Sequence, residues 1–403
     1  MARILCVWEL GSNLGHLSHL RLPIEMALQL GHEVFLAARQ LPRAREVLGD
    51  MPITYLQAPF KQNSKAADQS AFPSYTHLMA RQCFEGVDEL EMYVRAWRAL
   101  FDLVRPDLVL YEHSPTALIA SRCSGFKKVL VGSGFFVPPV SGASRNSGEP
   151  FAPFMTTPQT PEIRAALCAD DAVLLRLINL ALARMNIEGF AAVQDIYAQA
   201  HAQFFMTLPA LDHFGERPGV RYLGIESPGG YAAPVWPVTG GPKVFGYLQA
   251  MPSLEKLLQD LLQANVCALL HVRNLPPGLK ATYTRGNLHF VDHLVDLSEV
   301  AQQADAVISH ANSSTVATFL RAGLPQLVIP MHQEQLFVGL RLASQGGAVL
   351  AYQDQAGFSN EIQALISSPE LKRHARLLGV QCPSVEALDA AGYIKQTFQK
   401  LLA

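Results

Sequence analysis

The chain predicts an α/β protein built from two parallel-sheet domains, and three observations carry that prediction. Strand and helix candidates alternate twice along the sequence, and a Pro- and Gly-rich stretch separates the two sets. Residues 305–346 read, in direct succession, as a buried strand, a hydroxyl-rich turn, a helix and a second strand. At 403 residues the chain exceeds the usual single-domain size and can bury two full cores.

In the first set, residues 3–8 form an apolar strand candidate, followed by Glu9, Leu10 and the loop GSNLGH. Residues 17–30 then show helical apolar spacing that closes at Gly31. Two glycines and Asn13 let the loop turn tightly and approach a ligand, and His16 lies at the mouth of the helix. The signal is weak by itself, because the loop has neither the dinucleotide GxGxxG spacing nor the GxxxxGK[ST] phosphate-loop pattern. From this loop alone, a helix-start histidine hydrogen-bonded to backbone is the commoner reading of His16. Further strands are expected near Val34, Ile53, Leu108, Val129 and Phe204, with helices between them.

The stretch 226–242, ESPGGYAAPVWPVTGGP, contains no periodic run and reads as a linker. Beyond it, strands are expected near Val244, Ala268, His289, Val307 and Leu327, and residues 387–402 read as a terminal helix. Within this second set the apolar runs 306–309 and 327–330 fit strands covered on both faces. Between them Ser313, Ser314 and Thr315 stand where a helix should begin, with Val316, Phe319 and Leu320 at helical spacing and Gly323 at its end. A helix start at the carboxyl end of a parallel strand offers free N–H groups and the positive dipole end, which suits a diphosphate. An ordinary Ser/Thr cap explains the same three residues, so this segment alone leaves both readings open.

Taken together, the two ends of the chain resemble the GT-B glycosyltransferases of the macrolide, glycolipid and plant UDP-sugar type. GSNLGHLSHLRLPIEMALQLGHEVFLAAR is similar to that family's loop, histidine and helix, although the usual proline is His19 here. The C-terminal segment is similar to the family's HGGxxT, GxP and DQ pattern, with His310, Thr315, Gly323, Pro325 and Gln335 matching. Three departures stand out. Ala311 and Asn312 replace two glycines, Thr318 replaces a ribose-binding glutamate, and Glu334 replaces the aspartate before the glutamine. The resemblance implies a GT-B fold, with two Rossmann-like domains facing each other across a cleft. The expected boundaries are an acceptor-binding domain over 1–225, the linker 226–242, a nucleotide-sugar domain over 243–385, and a C-terminal helix over 386–403 that packs back on the first domain.

The resemblance also implies a mechanism. His16 is expected to act as general base on an acceptor hydroxyl, and Glu112, at the end of RPDLVLYE, to orient it. A solvated loop carboxylate remains the plainer reading of Glu112, and a strand-start role that of Asp107. The expected donor-binding set is Asn13, Gly15, His310, Ser313, Ser314, Thr315, Thr318, Glu334 and Gln335, with His293 stacking on the base or lying on the surface. No DxD motif occurs, and no metal or other cofactor is expected beyond the nucleotide sugar itself.

Composition limits the alternatives. A net charge of −2 and the absence of a Lys/Arg run exclude a nucleic-acid footprint. Cys6, Cys83, Cys123, Cys168, Cys267 and Cys382 form no CxxC pair and read as reduced core residues. No signal peptide and no bilayer-spanning run are expected, so the cytoplasm is the default and any membrane contact is peripheral. The expected acceptor is a hydrophobic small molecule or lipid. It would be lined by Phe72, Tyr75, Phe135, Phe136, Phe151, Phe154, Met155 and Met185, unless these are simply core under long loops. Two other classes stay open: a catalytically degenerate GT-B protein serving as a binding or partner subunit, and a nucleotide-sugar epimerase.

Overall fold

The computed structural model describes residues 1–11, 14–62, 71–140, 148–225, 231–238 and 240–403. The chain divides into two compact units. The first comprises Met1–Met206, Arg217–Leu223 and Asp389–Ala403, and the second Thr207–Glu216 and Gly224–Leu388. Each is built on one six-stranded sheet.

The first sheet contains β1 (Arg3–Trp8), β2 (Glu33–Ala38), β3 (Thr54–Gln57), β4 (Leu108–Glu112), β5 (Lys127–Gly132) and β6 (Ala202–Phe205), in the order β3-β2-β1-β4-β5-β6. Every pair in it is parallel. The apolar runs of β1 and β4 are buried on both faces, as a sheet covered by helices requires. Leu17, Leu20, Ile24 and Ala27 of the helix Gly15–Gln29 recur at helical spacing and enter this core. Gly31, at φ 76°, ends that helix in a conformation that favours glycine.

The second sheet contains β7 (Lys243–Gln249), β8 (Cys267–Arg273), β9 (Leu288–Phe290), β10 (Ala306–Ser309), β11 (Gln326–Val328) and β12 (Ala348–Leu350). Its order is β12-β11-β10-β7-β8-β9, again all parallel. In such sheets, ligands bind beyond the carboxyl ends of strands where the order reverses. The reversal falls between β1 and β4 in the first sheet and between β7 and β10 in the second. Register places Trp8 opposite Glu112, so the loops that follow β1 and β4 emerge side by side, while Ser309, at the end of β10, lies opposite Tyr247, shortly before the end of β7.

Several details depart from the sequence reading. β12 was not expected; it is a three-residue edge strand whose Val349 and Leu350 are only half-buried, so it makes no long apolar run. The terminal helix is broken into Val385–Leu388 and Ala390–Leu402 by Asp389, which has φ 42° and caps the second piece through Gly392 N–H. Ala390, Ile394 and Phe398 of that second piece are buried in the first core, with Phe398 edge-on to Phe204 at 5.6 Å. Residues 207–216 cluster with the second unit although they lie inside the span 1–225, because Leu208 and Leu211 are buried among Val316, Leu320 and Val338. Residues 226–230 and 239 of the expected linker lie outside the described residues. Cys6, Cys83 and Cys267 are buried, but Cys123 is exposed and Cys168 and Cys382 are half-buried, so only three are core residues. No helix among the described residues is long and apolar enough to cross a membrane.

Candidate active site

At the first reversal point, β4 ends in Glu112, which is fully buried. The helix Gly15–Gln29 begins beside it and presents His16 and His19 one turn apart on its inner face, both buried. His16 Nδ1 lies 2.9 Å from each oxygen of Glu112, and His19 Nδ1 lies 3.1 Å from Oε1. Glu112 is therefore a buried partner of two imidazoles rather than a solvated loop carboxylate. Burial alone would raise its pKa, but the charge and hydrogen bonds of His16, then those of His19, outweigh burial and hold it at about 2. Asp107 has the other fate: its Oδ2 accepts from Arg3 N–H at 2.7 Å and ties down the start of β1.

The imidazole of His16 is held between two other rings. Trp8 and His113 each stack on it at 5.7 Å, and Phe136 closes a third side at 4.6 Å. Trp8 is fixed in turn by donating Nε1–H to Leu10 O at 2.7 Å. Burial, reinforced by the charge on His16, pushes His113 down to about 3, so this second ring stays neutral. Gly11, at φ 84°, passes directly beneath the imidazole, and a Cβ there would overlap His16 Nε2. The loop glycine is thus explained by the histidine it accommodates. Asn13 lies outside the described residues, and Gly15 is the first residue of the helix.

The sequence places Glu9 only as the residue that follows the first strand. It is fully buried, and its Oε2 accepts from Thr116 N–H at 2.9 Å and Ala117 N–H at 3.4 Å. Burial lifts its carboxyl to about 8, against the opposing pull of those hydrogen bonds and of Arg39.

At the second reversal point, β10 runs into His310, Ala311 and Asn312, and Asn312 is the N-cap of the helix Ser313–Arg321. Ala311, at φ 64°, makes the tight turn that the resemblance gives to glycine, and its N–H bonds Ser309 Oγ at 3.2 Å. His310 Nδ1–H donates to Ile329 O at 2.7 Å, while Nε2 accepts from Gln249 N–H at 2.8 Å. That pattern fixes a neutral tautomer, consistent with burial lowering its pKa, and joins the ends of β7, β10 and β11. Gln335 Nε2 donates to Asn312 Oδ1 at 2.8 Å, and its Oε1 accepts from Met331 N–H at 2.8 Å. Two of the expected donor ligands thus hold the turn itself.

The hydroxyls are arranged differently. Ser313 is buried, and its Oγ has no hydrogen-bond partner among the described residues. Thr315 is buried beside it, Ser314 is half-buried, and Thr318 Oγ1 donates to Ser314 O at 3.0 Å. Ser313 Oγ is thus a buried, unpartnered hydroxyl in the first turn of a nine-residue helix. Glu334 lies 3.9 Å from His213 Nε2 and 3.8 Å from His332 Nδ1. His293 is exposed beyond β9, which β7 and β8 separate from β10 in the sheet.

The aromatic residues expected to line an acceptor site are largely core. Tyr75, Phe135, Phe136, Phe151 and Phe154 are buried, with Phe135 stacked on Phe154 at 5.3 Å and Tyr75 edge-on to Phe151 at 5.9 Å. Next to them, the helices Tyr75–Gln82 and Pro161–Ala183 enclose a cavity of about 170 Å³ lined by His77, Ala80, Phe84, Asp170, Leu174 and Leu177, among others.

Comparison with known proteins agrees with this fold. Residues 238–375 match the glycosyltransferase family 28 C-terminal domain. No curated protein sequence matches the chain. Among solved structures, the chain is similar to the glycosyltransferase SnogD from Streptomyces nogalater, with a TM-score of 0.61, 18% identity and 100% of each chain covered. It is similar to the glycosyltransferase VinC in complex with dTDP, with a TM-score of 0.65, 17% identity, and 98% of this chain and 100% of that one covered. It is also similar to the spinosyn rhamnosyltransferase SpnG complexed with spinosyn aglycone, with a TM-score of 0.61, 16% identity, and 99% and 100% covered. The second unit thus carries a glycosyltransferase family 28 C-terminal domain, and the fold of the chain is that of the GT-B glycosyltransferases SnogD and VinC.

Proposed function

We propose that the protein is an inverting glycosyltransferase that moves a sugar from a nucleoside diphosphate sugar, UDP- or dTDP-linked, to a hydroxyl of a hydrophobic small molecule or lipid. The observation that carries this reading is the buried His16–Glu112 pair at the first reversal point. In its neutral form, with Glu112 accepting from Nδ1–H, His16 keeps its lone pair on Nε2. Nε2 takes the proton of the acceptor hydroxyl as that oxygen bonds the anomeric carbon. The bond from that carbon to the diphosphate breaks, and the diphosphate leaves with the electron pair. Glu112 stabilises the imidazolium so formed. The first turn of the helix Ser313–Arg321, with Ser313, Ser314 and Thr315, meets the charge on the leaving group, so the scheme calls for no metal. Glu334 is assigned to hydroxyls of the sugar and His293 to the base.

A hydrophobic acceptor suits the aromatic wall that Phe136 builds beside His16 and the largely apolar cavity around Phe84 and Leu174. The partners held by the similar proteins, dTDP in VinC and an aglycone in SpnG, are of the same classes. We place the reaction in the cytoplasm. A partner-subunit role is the second reading, favoured by one observation: His310 and Gln335 direct their polar groups inward, to Ile329, Gln249, Met331 and Asn312.

Calorimetric titration of the purified protein with UDP, dTDP and GDP, without added metal, separates the two. Saturable binding of UDP or dTDP is the expected result. No binding of any of the three would transfer the assignment to the partner-subunit reading.

A further inference from the structure

Resting on the reading of His16 as the base, we propose that His19 is a positioning residue: by sharing Glu112 it keeps His16 able to accept a proton at working pH. A lone ionised carboxylate with both oxygens 2.9 Å from one imidazole nitrogen would favour the imidazolium strongly, and an imidazolium is no base. Here Oε1 is divided. It also accepts from His19 Nδ1 at 3.1 Å, so part of the carboxylate's charge is directed away from His16. His19 and Glu112 are both buried, and His19 Nε2 has no hydrogen-bond partner among the described residues, so Glu112 is the one polar group shown holding the ring.

The other groups around the cluster cannot substitute for His19. His113 follows β4 and is neutral, Glu9 follows β1 and bonds Thr116 and Ala117, and Arg39 follows β2 and acts on Glu9. Phe136 brings no charge. The helix Leu41–Leu48 meets the helix Gly15–Gln29 through Arg21, which bonds Val47 O and pairs with Glu25, while Ala390–Leu402 packs on the same core with Ala390, Ile394 and Phe398.

The sign of the effect follows directly. Removing His19 leaves the whole carboxylate to His16, which raises the proton affinity of His16; if His19 carries charge itself, removing that cation acts in the same direction. The test is a pH titration of the His16 ring, read by NMR on the full chain with isotope-labelled histidine and assigned by the loss of its signals in His16→Asn. In His19→Leu the midpoint of His16 should rise by about half a unit to one unit, roughly a three- to tenfold gain in proton affinity. In His19→Asn, whose amide can donate to Oε1 in place of Nδ1–H, the midpoint should stay near the wild-type value. A wild-type midpoint in His19→Leu, or a His19→Asn midpoint as high as that of His19→Leu, would overturn the proposal. His19→Met serves as the variant without a donor if His19→Leu does not fold. The readout needs no substrate, so it is distinguishable from failure of the transferase reading. A His16 midpoint that responds to His19, together with transfer that ignores His16→Ala, would keep the shared carboxylate and remove the base.

Discussion

Replacing His16 with alanine is expected to lower sugar transfer by about 10²- to 10⁴-fold, the usual contribution of a positioned general base. Nucleotide affinity should stay close to that of the wild type, because the hydroxyls assigned to the diphosphate belong to the helix Ser313–Arg321 in the other unit. The fold should survive. The imidazole is buried between Trp8 and His113, so its loss leaves a cavity, but one whose polar partner Glu112 still accepts from His19. Steady-state transfer and calorimetry on the same preparation read both quantities. Turnover at the wild-type rate would remove His16 from the chemistry.

Glu9 should make the fold less stable as pH rises, the opposite of what an ion-paired carboxylate does. Its carboxyl sits at about 8 in the folded protein because burial disfavours the anion. In the unfolded chain it titrates near the ordinary value of about 4.3. Below that value both states are protonated and nothing is lost. Between it and about 8 the folded state binds a proton that the unfolded state does not, so stability falls with rising pH, and above about 8 the loss is complete. Over that window the loss is on the order of a few kcal/mol. Glu9→Gln keeps an acceptor for Thr116 and Ala117 N–H and removes the titration. Denaturant unfolding should therefore show near-equal stability of the two proteins at pH ~4 and a clear advantage for the variant at pH ~8. Parallel pH dependence in both would show that Glu9 is ionised in the fold.

Much of this architecture was legible in the sequence, because strands buried on both faces write themselves as short apolar runs. Residues 3–8, 108–112 and 306–309 have that form, and the helix beginning at Ser313 carried its hydroxyl start and its Gly323 stop. The pairing of His16 with Glu112 came from resemblance, since 96 residues separate them and no local pattern links them. Non-local hydrogen bonds also account for what was missed. Glu9 finds its partners 107 and 108 residues away. His310 and Gln335 look like free ligands in sequence, yet bond Gln249, Ile329 and Met331, which only the sheet brings near. His19 did leave a local signal, its three-residue spacing from His16 on one helix face, but it read as a departure from the family's proline. The aromatic residues expected around an acceptor turned out to pack on one another, as Phe135 does on Phe154. Composition cannot separate a lining from a core.

The central claim is direct displacement at the anomeric carbon by an acceptor hydroxyl that His16 deprotonates. The configuration of the product tests it most directly. Transfer should be run from an α-linked glucose donor of whichever nucleotide the titration selects, to a coumarin phenol, and the anomeric proton of the purified product read by NMR. A β-linked product, formed about 10²- to 10⁴-fold more slowly when His16→Ala replaces the wild type, is the predicted result. An α-linked product, or none from a donor that binds, would contradict the account.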